Sequence, residues 1–272
     1  MKSTEQKILS IAPYVCGRYT LSSQYVGGRE KLILPQLVFR IEHRKYGNIL
    51  FNSGFSHFAR KTNIKIFLLC RKNGISFSDF NEISSQLLDE GMDEMCIKHI
   101  ILSHTAADTV SGLRLFSNCT LTSTAQALAQ MDNSLFAEYI PKRIIPPKTI
   151  PRRAASIYKS KSICTSYFKY IYDIFGDGSI LGISLSGCAK GHIGLFIPER
   201  NLLLGGYACI DSTLLGADPT EYFLKHQYDS EQYLDTLARL RHFIKENPRV
   251  RCVFSRDKLE YARTQIYDIQ TG

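Results

Sequence analysis

The sequence predicts an α/β protein in which two mixed β-sheets pack face to face with helices outside, an αββα sandwich. Three observations carry that expectation. Strand-length apolar runs occur in pairs joined by short turn segments. Residues 229–247 place apolar side chains at helical spacing. Two sheets covered by outer helices account for so many buried strands.

The elements follow in chain order. Residues 33–42, "ILPQLVFRIE", read as a strand, "HRKYGN" as a turn and "NILFNSGF" as the returning strand. A short helix is expected from about Thr109 to Phe116, and another over 122–131, "TSTAQALAQM". "YIYDIF" (170–175) and "ILGISLSG" (180–187) flank the turn "GDGS". "HIGLFIPE" (192–199) and "LLLGGYACI" (202–210) form a third pair around Arg200-Asn201. In 229–247 the apolar positions are Tyr233, Leu234, Leu237, Leu240 and Ile244; Asp229 is the expected N-cap, and Asn247-Pro248 stops the helix. "RVRCVFSRD" (249–257) reads as a last strand. No linker or internal repeat interrupts the chain, so one domain over 1–272 is expected.

Composition narrows the function classes. The chain has 272 residues, 44% hydrophobic and 22% charged, with a mean hydropathy of −0.12; these are values of a soluble globular protein. No apolar run approaches the roughly 18 residues of a membrane span, and the N-terminus has no long apolar signal region. Eight cysteines are scattered without a CxxC pair, several in apolar runs such as "RCVF" and "YACI". Buried free thiols and a reducing, cytoplasmic location follow. The net charge is +9, and the segment 141–162 carries seven Lys or Arg and no acid. Such a segment is either a solvated loop or a surface for nucleic acid, an anionic membrane, an acidic protein or an anionic substrate. No zinc finger or RNP-like run accompanies it, so nucleic acid is not an expected partner.

Five stretches, in order, resemble the metallo-β-lactamase fold, and within it the quorum-sensing lactonase branch. "FRIEHRKYGNILFNSGFS" is similar to the hairpin ending in Asp-Thr-Gly, here Asn52-Ser53-Gly54. "IILSHTAADTVSGLRLFSNCTLTST" resembles the strand, loop and helix of the His-x-His-x-Asp-His motif. "FGDGSILGISLSGCAKGHIGLFI" resembles the hairpin carrying Pro-Gly-His, "LLLGGYACI" the strand ending in a bridging aspartate, and "VFSRD" the strand carrying the last histidine. The resemblance implies a site for two metal ions, often zinc, that polarise a carbonyl or phosphoryl oxygen and generate hydroxide.

Matched residue by residue, most of the implied ligands are missing. The first histidine is His104 and the aspartate is Asp108. The other positions fall on Ala106, Thr109, Cys188, Tyr207 (or Gly206, if the register slips by one) and Arg256. Catalytic zinc normally takes three protein ligands, and a permanently charged guanidinium repels a dication. No cofactor is therefore expected; a single zinc on His104, Cys188 and one further group is the lesser alternative.

The resemblance brings His104, Asp108, Cys188, Tyr207 and Arg256 to one pocket and leaves three readings open. In the first, a metal-independent enzyme acts on an ester, lactone or carrier-bound thioester. Cys188 attacks with His104 as base, or His104 and Tyr207 perform acid–base chemistry without a covalent step, and Arg256 or Tyr207 holds the oxyanion. In the second, an Arg256–Asp108 salt bridge fills the metal void of a pseudoenzyme that binds a ligand; Asn52, at the place of a structural aspartate, points the same way. In the third, the basic segment 141–162 receives an acidic carrier protein. The first is slightly preferred, because the pocket gained reactive groups. Elsewhere, His43 and His57 read as surface or turn residues, His192 as a structural hydrogen-bonding group, and His226 as undecided. Tyr14, Tyr19 and Tyr25 are candidates to line an apolar pocket.

Overall fold

A computed structural model describes residues 5–28, 30–62, 64–132, 152–157 and 162–267. Apart from 152–157 and Ser162, the basic segment 141–162 lies outside the described residues. The first sheet contains β1 (Ile8–Leu21), β2 (Leu32–His43), β3 (Gly47–Phe51), β4 (Ile75–Ser76), β5 (Ile97–Ile101), β6 (Thr120–Ser123) and β7 (Arg152–Ala154), in the order β4-β1-β2-β3-β5-β6-β7. The second contains β8 (Ser156–Ile157), β9 (Ile171–Asp173), β10 (Leu181–Ser184), β11 (Ile193–Ile197), β12 (Leu202–Gly206) and β13 (Arg251–Phe254), in the order β13-β12-β11-β10-β9-β8. Both are mixed: β3, β5, β6 and β7 run parallel, as do β12 and β13, and the other pairs are antiparallel.

Alternation along the strands builds the layers. In β2, Leu37, Phe39 and Ile41 join Ile193, Leu195 and Ile197 of β11 and Leu202 and Leu204 of β12 in the core between the sheets. Leu34 and Val38 face the opposite way, toward α4 (Ile83–Asp89) and α5 (Ala107–Val110). Phe196 and Leu203 cover the outer face of the second sheet beneath Leu240 and Phe243 of α8 (Ser230–Glu246). Each such fully buried side chain contributes about 1.5–3 kcal/mol. The expected αββα sandwich is the architecture found.

The expected elements mostly stand, with shorter strands. Asp229 caps α8 by accepting from the Gln232 N–H at 3.0 Å. The stretch expected to be a helix over 122–131 begins as β6, because Thr122 and Ser123 pair with the edge strand; only Ala125–Asp132 is helical. The helix expected near Thr109 starts at Ala107 and tightens to a 3-10 turn over Ser111–Leu115. The fourteen-residue β1 escaped the sequence reading, since its irregular burial pattern and bulges mask the period of two. A closing helix, Leu259–Tyr267, was missed as well. His43, expected at the surface or in a turn, ends β2 and is buried: its Nδ1 accepts from the Lys45 and Tyr46 N–H groups at 3.0 and 3.3 Å. His57 begins a helix, paired with Asp79.

The parallel strands bring the ends of β3, β5, β12 and β13 to one rim, and backbone hydrogen bonds close it. The Ile193 N–H donates to the Ser103 carbonyl at 2.9 Å and the Leu37 N–H to the Ser255 carbonyl at 2.7 Å, both crossing between sheets. β12 ends at Gly206, with φ +60°, where a Cβ would stand 2.7 Å from His192 Nε2. We predict that Gly206→Ala lowers the unfolding free energy by about 2–4 kcal/mol, combining left-handed strain with overpacking. Urea denaturation measures it; a loss below about 1 kcal/mol would contradict the close approach.

Candidate active site

The rim opens into a cavity of about 550 Å³, lined by all five residues singled out from the sequence: His104, Asp108, Cys188, Tyr207 and Arg256. Four follow a strand, and one lies in a helix. His104 follows β5, Asp108 lies in α5, Cys188 follows β10, Tyr207 follows β12 and Arg256 follows β13. Tyr19 and Tyr25 also line the cavity, whereas Tyr14 does not; its hydroxyl donates to Glu90 at 2.7 Å.

A carboxylate, two phenols and a guanidinium form the floor. Asp108 Oδ2 accepts from the hydroxyls of Tyr19 and Tyr207, the latter at 2.6 Å. Arg256 lies 4.4 Å from the Tyr19 ring centre and 5.0 Å from that of Tyr207. The direct Arg256–Asp108 salt bridge expected from the sequence is not formed, because the two phenols occupy the space between the charges. Burial, then the Asp108 charge, raises both phenols well above their ordinary pKa, so each keeps its proton and donates it. Tyr207 Oη also lies 2.5 Å from the Gln36 side-chain amide. One phenolic proton cannot serve both neighbours, so the geometry fits best with the Gln36 NH₂ group turned toward Tyr207.

His104 is held by a second network. Asn52 Oδ1 accepts from the Ser103 N–H at 2.9 Å and the Ser103 hydroxyl at 3.0 Å. Ser103 Oγ is then left to accept from His104 Nδ1 at 2.9 Å. This relay places the lone pair on His104 Nε2. Burial, then Arg256, pulls His104 down from 6.5 to about 3. Burial pushes the Cys188 thiol up to about 12. Among the described residues no hydrogen bond joins Cys188 to His104.

Thr109, at an implied ligand position, and His192, outside that set, have structural duties. The Thr109 hydroxyl accepts from the Ala106 N–H at 3.0 Å and reaches the Ala106 carbonyl at 2.8 Å, closing the loop onto α5. His192 behaves as the sequence reading expected. Its Nδ1 donates to the Leu185 carbonyl at 2.9 Å, and Nε2 accepts the Tyr207 N–H at 3.1 Å. Among the described residues no three His, Cys, Asp or Glu side chains are placed to hold a metal ion.

Gln36 was missed, although one buried amide inside an apolar strand is the kind of signal that could have revealed it. Tyr25, expected to line the pocket, and His226, left undecided, meet Tyr222 in the cavity lining with ring centres 4.6–5.4 Å apart; Tyr222 was missed.

Neither a family model nor a curated protein matches the sequence. Solved structures do match over nearly the whole chain. An N-acyl homoserine lactone hydrolase with the product N-hexanoyl-L-homoserine bound at its catalytic metal centre shares 18% identity, covering 97% of this chain and 99% of that one, with a TM-score of 0.69. This chain has the metallo-β-lactamase fold. A B. thuringiensis AiiA variant with N-decanoyl-L-homoserine bound agrees at TM-score 0.70 and 17% identity, covering 97% and 99% of the two chains. A probable metal-dependent hydrolase from Staphylococcus aureus agrees at 0.65 and 14%, covering 93% and 91%.

Two predictions test the site. The imidazoles of His104 and His192, both pulled down to about 3, should stay neutral as pH falls from 8 to about 4.5. Their folded values lie below the unfolded 6.5, so their contribution to stability is complete above 6.5 and declines toward pH 3. Asp257, raised to about 6 by burial, works in the opposite sense between its ordinary 3.8 and 6. Ring-proton NMR isolates the histidines; a midpoint near 6.5 for either would contradict the burial argument. Second, Tyr19→Phe should cost about 1–3 kcal/mol by removing a donor to a buried carboxylate, measurable by thermal or urea unfolding.

Proposed function

We propose that this protein binds a small carbonyl compound (an ester, lactone or thioester) in the cavity around Arg256 and does so without a dinuclear metal centre. The observation that supports this reading is the Asp108–Tyr19–Tyr207–Arg256 cluster. A metal would have to displace two phenolic protons from Asp108 beside a fixed cation, and the remaining donors are a thiol held protonated and one imidazole. That donor set does not fit two metal ions.

The states of the reactive groups favour binding over catalysis. A thiol raised to about 12 is a weak nucleophile at neutral pH. An imidazole lowered to about 3 is a weak proton acceptor. Phenols engaged with Asp108 are not free to donate elsewhere. Arg256 remains charged and lines the cavity, where its guanidinium suits a carbonyl or carboxylate oxygen. Catalysis is the second reading, and one observation favours it: the Asn52–Ser103–His104 relay leaves Nε2 as an acceptor in the cavity. There His104 would orient a water and Arg256 would hold the oxyanion, with no covalent step. All eight cysteines are free, which supports a reducing, cytoplasmic location.

Calorimetry with N-hexanoyl-L-homoserine and its lactone, together with metal analysis of protein purified without added zinc, tests the proposal. Binding should be measurable, fall at least about tenfold in Arg256→Gln, and occur with far less than one zinc per chain. Two tightly held equivalents per chain would overturn the metal-independent reading. Turnover abolished by His104→Gln but not by Cys188→Ala would select the catalytic reading.

A further inference from the structure

Beside the cavity, the sequence from 57 to 78 contains five Lys or Arg and no acid. It forms α2 (His57–Thr62) and α3 (Ile64–Lys72). α3 is amphipathic, and its described apolar side chains are divided. Cys70 packs into the core, whereas Ile64, Phe67 and Leu68, at i, i+3 and i+4, are 67%, 44% and 53% exposed. Phe80 is 83% exposed in the turn that His57 ties to the start of α2 through Asp79 and Glu82. Exposed Lys61, Arg71 and Lys72 flank the apolar stripe, and Lys72 also lines the cavity.

From these placements we propose that the α2–α3 face docks on an anionic lipid surface, with the cavity mouth beside the contact. Bulky apolar side chains interspersed with cations, on a short helix lying along the surface, suit the headgroup boundary of a bilayer. There the apolar groups enter the acyl region while Lys and Arg meet phosphate. A second copy of the chain is disfavoured as the occupant, because a symmetric contact would bring two sets of these cations together. The apolar stripe also exceeds what an acidic peptide would satisfy by charge alone. The docked geometry gives an amphiphilic ligand a path between the membrane and the cavity past Lys72.

Co-sedimentation of the 272-residue protein with vesicles tests this. The vesicles are phosphatidylcholine alone or phosphatidylcholine with about one-third phosphatidylglycerol, at low salt and at about 0.5 M salt. Binding is expected only with phosphatidylglycerol and should be largely lost at high salt. Phe67→Ser combined with Leu68→Ser should weaken it about tenfold or more. Lys61→Gln combined with Arg71→Gln should weaken it about tenfold. All four side chains are exposed, so unchanged circular dichroism and melting temperature confirm that the variants fold. No binding to the anionic vesicles, equal binding to both vesicle types, or full binding by both double variants would overturn the proposal. Salt-sensitive binding of poly-L-glutamate without vesicle binding would assign the face to an acidic protein and overturn it equally.

Discussion

The two sheets are pinned to each other at one rim by backbone hydrogen bonds, and the cavity depends on that closure. Ile193 to Ser103 and Leu37 to Ser255 cross from sheet to sheet. Within the second sheet, His192 joins the ends of its strands by spanning the Leu185 carbonyl and the Tyr207 N–H. Each buried backbone group needs a partner, so β5, β11, β12 and β13 have little freedom to shift relative to one another. His104, Tyr207 and Arg256 sit within three residues of these ties. Their convergence follows from backbone pairing, before any side-chain chemistry is considered.

Within that frame, electrostatics sets the character of the floor. A buried carboxylate and a buried guanidinium would each be costly alone. Here they are matched through two aromatic hydroxyls, which give Asp108 its donors and give Arg256 two ring faces. The same burial keeps Cys188 and His104 neutral. The floor therefore pairs one guanidinium with one carboxylate through two phenols, beside a thiol and an imidazole held in their uncharged forms.

Much of the fold was legible. Paired apolar runs located β2, β3 and β9 to β12, and the Asp229 cap and helical spacing located α8 almost to the residue. β1 was obscured because bulges break its alternation, and 122–131 was misread because Thr and Ser serve a strand end as readily as a helix start. The site was legible as a set of positions and illegible as a network. The sequence led to an Arg256–Asp108 pair; no spacing rule says that Tyr19, 89 residues before Asp108, stands between the charges. Nor does any show that Gln36 backs Tyr207 or that Thr109 turns inward to close its own loop.

The amino-acid sequence by itself determined the layer architecture, the strand ends that carry the site, and which residue types stand where metal ligands would. Periodicity, turn residues and motif order are local and survive in one dimension. Only the tertiary structure decided hydrogen-bond partners, tautomers and protonation states. These depend on burial and on which side chains from distant strands share a few ångströms, and the free energy of a charge is set by that surrounding rather than by its neighbours along the chain.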